Sequence, residues 1–148
     1  MPNTNKLNNK SFITLMSEQE KIAFLKILVA LASCDDNFDD DEKAYVKETA
    51  IVFGLNKDNV EEILKPISDE EIIAQASLIT ERQAALQLLK EACFLANSDG
   101  DLSDKEILLI GKIGQAMNIE LEKVEEISNW VVEKIIWIEK GKIIFEQI

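Results

Sequence analysis

The chain has 148 residues, 47% of them hydrophobic, and a formal net charge of −12 with no histidine. This length and hydrophobic content predict one folded domain rather than a disordered chain. The negative charge argues against nucleic acid as a partner, because proteins bind phosphate backbones mainly through Lys and Arg. Cations and basic protein surfaces are the partners that it favours.

The first ten residues are rich in Asn, and residues 1–16 are predicted to form a flexible leader without a secretion signal. No apolar run reaches the roughly 18 residues that a membrane span needs, so no span is expected. Cys34 and Cys93 lack the spacing of metal ligands and are interpreted as packed thiols in a reducing compartment. The expected location is therefore the cytoplasm.

The first helix is predicted to begin at Ser17, which forms a capping box with Glu20, and to run to about residue 33. A second, similarly apolar helix begins near Thr80, and we expect these two to be the central pair. The helix that follows each of them should end at Gly54 or Asn118, since both residue types tolerate the left-handed conformation that commonly ends helices. The inner face of the helix that ends at Gly54 is predicted to consist of Tyr45, Val46, Thr49, Ala50 and Phe53.

Shifting the sequence by 64 positions gives eleven identities over residues 22–63, among them Leu25 with Leu89 and Asp35 with Asp99. We interpret this match as an internal duplication. The predicted architecture is one all-α domain over residues 17–148. Its parts are repeat one at about 17–67, a connecting helix at about 68–79, repeat two at about 80–131 and a C-terminal extension at 132–148.

The C-terminal extension is rich in Trp and Ile. Trp130 and Trp137 are seven residues apart and share one helical face. We expect this segment to fold back and close the core, as apolar helical stripes usually do. The alternative is that it forms a weak dimer or binds a partner.

Each repeat contains an acidic turn between two helices, and clustered carboxylates suit hard cations such as calcium. The turns are not EF-hand loops. Counting from Asp99, the sixth residue is Asp104 instead of Gly and the twelfth is Ile110 instead of Glu. A simpler interpretation is that the carboxylates cap the following helix and interact with its dipole.

The second turn resembles the signature of the TerB-like family, named for tellurite-resistance proteins. The resemblance rests on Ala96, Asp99-Gly100, Leu102-Ser103 and Glu106. It implies an all-helical bundle of two helix-acidic turn-helix repeats that holds a divalent cation, calcium in particular. The implied ligands are Asp99, Asp101 and Glu106, with Asp35, Asn37 and Glu42 in the first copy. The first copy departs from the pattern, with Asp36 where Gly is usual.

An enzyme is the least expected class, because the chain lacks histidine, a phosphate-binding Gly-rich loop and a base beside either cysteine. Two hypotheses follow. The first is a cytoplasmic TerB-like protein that binds a divalent cation in a response to metal or chemical stress. The second is a helical interaction module that binds no metal and whose acidic surface binds a basic protein partner.

Overall fold

The computed structural model describes residues 12–32, 40–97 and 104–146. Within these ranges the chain is helical and contains no β-strand, which confirms the predicted all-α class. A helical stretch at residues 12–15 precedes the helices with defined bounds. These are α1 Glu18–Ala32, α2 Asp40–Val52, α3 Lys57–Ile63, α4 Asp69–Ala76, α5 Arg82–Asn97, α6 Asp104–Ala116 and α7 Leu121–Glu146.

Two helix starts follow from local capping chemistry, as the sequence predicts. At the start of α1, Ser17 Oγ accepts from the Glu20 amide at 3.2 Å, and Glu20 Oε1 accepts from the Ser17 amide at 3.2 Å. This is the reciprocal capping box. At the start of α4, Ser68 Oγ accepts from the Glu71 amide at 3.2 Å. Both side chains therefore satisfy amides that the helix itself leaves unpaired.

The ends of α2 and α6 share one geometry. Gly54 follows α2 with φ 79°, and Asn118 follows α6 with φ 61°. After each, the next amide donates to the carbonyl five residues earlier, at 3.0 Å in the first case and 2.9 Å in the second. This is the Schellman pattern, and it confirms both predicted helix ends. These two helix ends are 64 residues apart, the same offset as the sequence match.

The core is built around α1 and α5, which contact each other. α1 also contacts α2, α3 and α4, while α5 also contacts α6 and α7. α1 is buried on most sides, as its sequence predicts, and its buried residues are Ala23, Phe24, Leu25, Ile27, Leu28, Val29 and Ala30. Among the described residues no polar or charged one is buried. Burial of apolar surface is therefore the main force that holds these helices together.

The prediction of a leader that extends to residue 16 is wrong for residues 12–16. Phe12 and Met16 are both buried. The Phe12 ring lies 5.8 Å from that of Phe24 and 6.2 Å from that of Phe53, so it completes an aromatic cluster between α1 and the end of α2. Two large apolar side chains gain enough from such burial to order the short stretch that carries them.

The prediction that the C-terminal extension folds back is also wrong for the part that the structure describes. α7 continues as one helix of 26 residues, and only Val124 and Val131 on it are buried. From residue 136 to residue 146 every residue except Gly141 is exposed. A single Gly inside a helix costs about 1 kcal/mol, which is too little to end a helix whose neighbours are good helix formers. α7 therefore extends past the core instead of turning back.

Candidate interaction surface

The structure tests little of the predicted cation site. Four of the six predicted ligands lie outside the described residues: Asp35, Asn37, Asp99 and Asp101. Glu42 lies in α2, with its side chain outside the described part of the chain, and Glu106 lies half-buried in the first turn of α6. Over residues 12–32, 40–97 and 104–146, no three His, Cys, Asp or Glu side chains form a group that could hold a metal ion. Cation binding at the acidic turns thus stays a prediction.

An apolar groove with a volume of about 250 Å³ lies between α1, α2 and α5. We call it the groove. It is lined by Leu25, Leu28 and Ala32 of α1, Tyr45, Val46 and Thr49 of α2, and Glu91, Phe94 and Leu95 of α5. Leu25, Leu28 and Val46 form its floor and are buried core residues, whereas Tyr45 at its rim is exposed.

The groove carries one aromatic and one acidic group at its rim. Val46, Ala50 and Phe53 of the predicted inner face are buried, whereas Tyr45 of the same face lines the groove and stays 53% exposed. Partial burial, together with the nearby charge of Glu91, raises the pKa of Tyr45. Glu91 is only loosely paired, with its Oε1 3.8 Å from Lys90 Nζ. The groove therefore combines an apolar floor with a negatively charged edge.

The side of the groove formed by α5 continues into α7 through aromatic contacts. The ring centroids of Phe94 and Trp130 are 6.4 Å apart in an edge-to-face arrangement. Lys134 Nζ lies 5.6 Å from the Phe94 centroid and 5.5 Å from the Trp130 centroid. Such cation–π contacts keep a lysine over the rings while its ammonium stays in solvent. Phe94 thus joins the groove to the exposed Trp face of α7.

The C-terminal arm, residues 134–146 of α7, carries the largest exposed apolar side chains of the described chain. Trp137 is 74% exposed, Ile144 68% and Phe145 77%, and Ile136, Ile138 and Ile143 are exposed as well. Single exposed apolar residues are ordinary on protein surfaces, but a contiguous set of this size marks an interaction site. The arm is therefore a second apolar surface beside the groove.

Cys93 is a packed thiol, as predicted, whereas Cys34 lies outside the described residues. Burial raises the pKa of Cys93 to about 11, against the opposing effect of a hydrogen bond with Ser128. The thiolate is the reactive form of cysteine. At neutral pH Cys93 is protonated and contributes to packing.

Sequence reasoning missed the groove and misplaced the arm. The groove residues have ordinary apolar periodicity, and that pattern does not show which helices leave a groove between them. For the arm a signal was available, because apolar residues occur on several sides of the helix beyond Ile135 while the charges needed for a solvent-facing side are few. A helix that is apolar on most sides needs more cover than one core can give.

Comparisons of this chain with protein-family models, with curated proteins and with solved structures find no match. Across the residues that the structure places, no helix is both long enough and apolar enough to cross a bilayer. α7 has the necessary length, but its charged residues interrupt the apolar ones.

Proposed function

We propose that this chain is a non-enzymatic, cytoplasmic interaction module whose groove binds an apolar helix with basic flanking residues. The observation that carries the proposal is the groove itself, with its apolar floor and Glu91 at its rim. Grooves of this kind bind amphipathic helices by burying their apolar face. A net charge of −12 favours a partner with Lys or Arg around that face and speeds their encounter.

The test uses two labelled synthetic helical peptides with the same Leu and Trp anchors, one flanked by lysines and the other by glutamates. Fluorescence anisotropy should show saturable binding of the lysine peptide, weakened by salt, and much weaker binding of the glutamate peptide. Tyr45→Lys should reduce binding of the lysine peptide, because it removes an aromatic contact and adds a repelling charge at the rim. Equal binding of both peptides, or binding unaffected by Tyr45→Lys, contradicts the proposal.

Leu121→Lys provides the matched control for this test. Leu121 is an exposed apolar residue in the first turn of α7, remote in sequence from every residue that lines the groove. The variant removes one apolar side chain and adds one charge, as Tyr45→Lys does. We expect it to leave peptide binding unchanged.

The second candidate function is divalent-cation binding in a TerB-like protein, in a response to metal or chemical stress. The common offset of 64 residues supports it, because α2 and α6 end in the same geometry at Gly54 and Asn118 and each follows an acidic segment of the sequence. A duplicated pair of helices with equivalent acidic connections is what the resemblance to that family implies. Oxygen ligands clustered in this way suit calcium.

Calorimetric titration with calcium, paired with melting curves, tests this second candidate. We expect saturable heat and a raised Tm that Asp99→Asn or Asp35→Asn abolishes, because a ligand bound only by the native state stabilises it. Asp69→Asn, in the first turn of α4, is the control and should keep the full response. If calcium raises the Tm no more than an equal ionic strength of sodium chloride does, this candidate is wrong.

A further inference from the structure

The groove and the C-terminal arm belong to one continuous apolar surface. Phe94 lines the groove and packs against Trp130, and Trp137 and Ile144 follow Trp130 at intervals of seven residues. Residues seven apart in a helix lie on nearly the same face, drifting by about 20° per step. One side of the molecule therefore presents a concave apolar part, the groove, and a protruding apolar part, the arm.

This surface exposes many large apolar side chains. Six large apolar side chains of the arm, those of residues 136, 137, 138, 143, 144 and 145, are each at least 40% exposed, and Trp130 beside them is 50% exposed. Exposed apolar sets of this size usually mark a surface that another molecule covers.

The charges of the arm suit the groove. Residues 134–146 carry three Lys and two Glu, whereas the chain as a whole carries a net charge of −12. Lys140 and Lys142 are exposed on the arm, where Lys142 Nζ lies 3.5 Å from Glu139, and Glu91 at the groove is only loosely paired, with Lys90 Nζ 3.8 Å away. The arm is thus an apolar helix with basic residues, which is the partner chemistry proposed above for the groove.

The arm cannot reach the groove of its own chain, because α7 is one continuous helix that carries it away from Trp130. Ile144 lies about 21 Å beyond Trp130 along the helix axis, at about 1.5 Å per residue. The arm of a second copy of the chain is not subject to this constraint and can reach the groove. When two copies of α7 cross antiparallel near residue 134, Trp137 of each copy comes opposite Trp130 of the other, next to Phe94 and the groove.

We propose that the C-terminal arm of one copy docks against the groove of a second copy, and that the reciprocal contact closes a two-fold dimer. This inference rests on the groove being a binding site for an apolar helix. The interface uses the same patch on both subunits, as two-fold interfaces do, and both apolar surfaces are covered at once. Because each arm occupies the groove of the other copy, the dimer has no free groove that could bind a third copy.

Sedimentation velocity of the full chain over a wide concentration range tests the proposal. We expect a reversible monomer–dimer equilibrium. Trp137→Glu on the arm and Tyr45→Lys at the groove should each raise the dissociation constant by about tenfold or more, since buried aromatic residues dominate interface energies. Leu121→Glu is the control, because Leu121 is exposed on the side of α7 opposite to Trp130 and Trp137. The side chains of Trp137, Tyr45 and Leu121 are all largely exposed, and circular dichroism verifies that each variant is folded.

Mixing the two defective variants separates this arrangement from simple pairing of two arms. A mixed dimer regains one intact contact, between the arm of the Tyr45→Lys chain and the groove of the Trp137→Glu chain. The mixture should therefore associate more tightly than either variant alone. A dimer that Tyr45→Lys leaves unchanged, or a mixture no tighter than its components, overturns the proposal.

The peptide experiment distinguishes failure of this inference from failure of the proposed function. If the chain stays monomeric at every concentration while the lysine-flanked peptide binds the groove, the groove is a binding site for another protein and the dimer proposal is wrong. If neither self-association nor peptide binding occurs, both are wrong. The peptide is also titrated against Trp137→Glu, in which its binding should tighten because the competing arm is weakened.

Discussion

Glu20 shows how one side chain can organise two helix starts. Its Oε1 accepts from the Ser17 amide, and its Oε2 accepts from the amides of Thr80 and Glu81 at 3.2 and 3.4 Å, just before α5. Burial by itself would raise the pKa of Glu20, but the hydrogen bonds from these three amides and the Ser17 side chain outweigh it and lower the pKa below the ordinary 4.5. The ionised carboxylate therefore ties the start of α1 to the start of α5.

Glu20→Gln should destabilise the fold by about 1 kcal/mol at neutral pH, because hydrogen bonds to an ionised acceptor are stronger than those to an amide. A carboxyl group with a lowered folded-state pKa stabilises above its unfolded pKa and loses this effect as the pH falls through the folded pKa. The difference in the free energy of unfolding between wild type and Glu20→Gln should thus reach its full size above pH 4.5 and decrease below it. Chemical denaturation across this pH range measures it.

Glu70→Gln is the control for that series. Glu70 is exposed in the first turn of α4, so the substitution removes a carboxylate from a helix N-terminus without touching the link between α1 and α5. We expect a change of only a few tenths of a kcal/mol, typical of such exposed positions. A similar loss in both variants would mean that Glu20 acts only through the helix dipole.

Residue-scale features were the most predictable from sequence. Ser17, Ser68, Gly54 and Asn118 act through neighbours only a few positions away, so their spacing in the chain carries the information. The exposure of Tyr45 on the predicted inner face could not be read from the sequence, because it depends on how closely α1 and α5 pack against that face. The roles of Asp35 and Asp99 stay predictions, since both lie outside the described residues.

At the scale of helices, the crossing of α6 and α7 depends on a close approach. A Cβ added at Gly114 would lie 2.7 Å from Val124 Cγ2, whereas one added at Gly111 meets nothing within 4 Å. The two glycines lie on the same helix, three residues apart. An Ala substitution at each glycine therefore separates the effect of the added methyl group on packing from its effect on helix propensity.

Gly114→Ala should destabilise the fold by about 1–3 kcal/mol, because the added methyl group overpacks the contact with α7. Gly111→Ala should stabilise it by about 0.5–1 kcal/mol, because Ala loses less conformational entropy in a helix interior. Thermal and chemical denaturation of both variants measures the pair. Stabilisation by Gly114→Ala would show that α7 can move away from α6 at little cost.

The course of α7 marks the limit of sequence reasoning at this scale. Helical periodicity and capping signals predicted that the segment after Val124 is helical and apolar, and both points hold. The fold-back required a turn near Gly141, and one glycine among helix-forming neighbours does not supply it. Whether an apolar helix is covered by its own core or by another chain depends on the space that remains on that core, which no local pattern encodes.

At the scale of the whole molecule, the all-α class was predictable because Pro and Gly are few and apolar residues recur with helical period. The relation between groove and arm was not, since it joins residues of α1, α2, α5 and α7 that are far apart in sequence. A strongly acidic chain with one neutral to basic apolar segment is consistent with an interface between copies that charge complementarity guides.

The most direct test is isotope-filtered NMR on a mixture of a chain with labelled Leu and Val methyl groups and an unlabelled chain. The account predicts intermolecular cross-peaks from the Trp137 indole of the unlabelled chain to the methyl groups of Leu28 and Val46 in the groove of the labelled one. Cross-peaks from Trp137 to Val131 and Val132 of α7 alone, or none at protein concentrations where dimer forms, would contradict it.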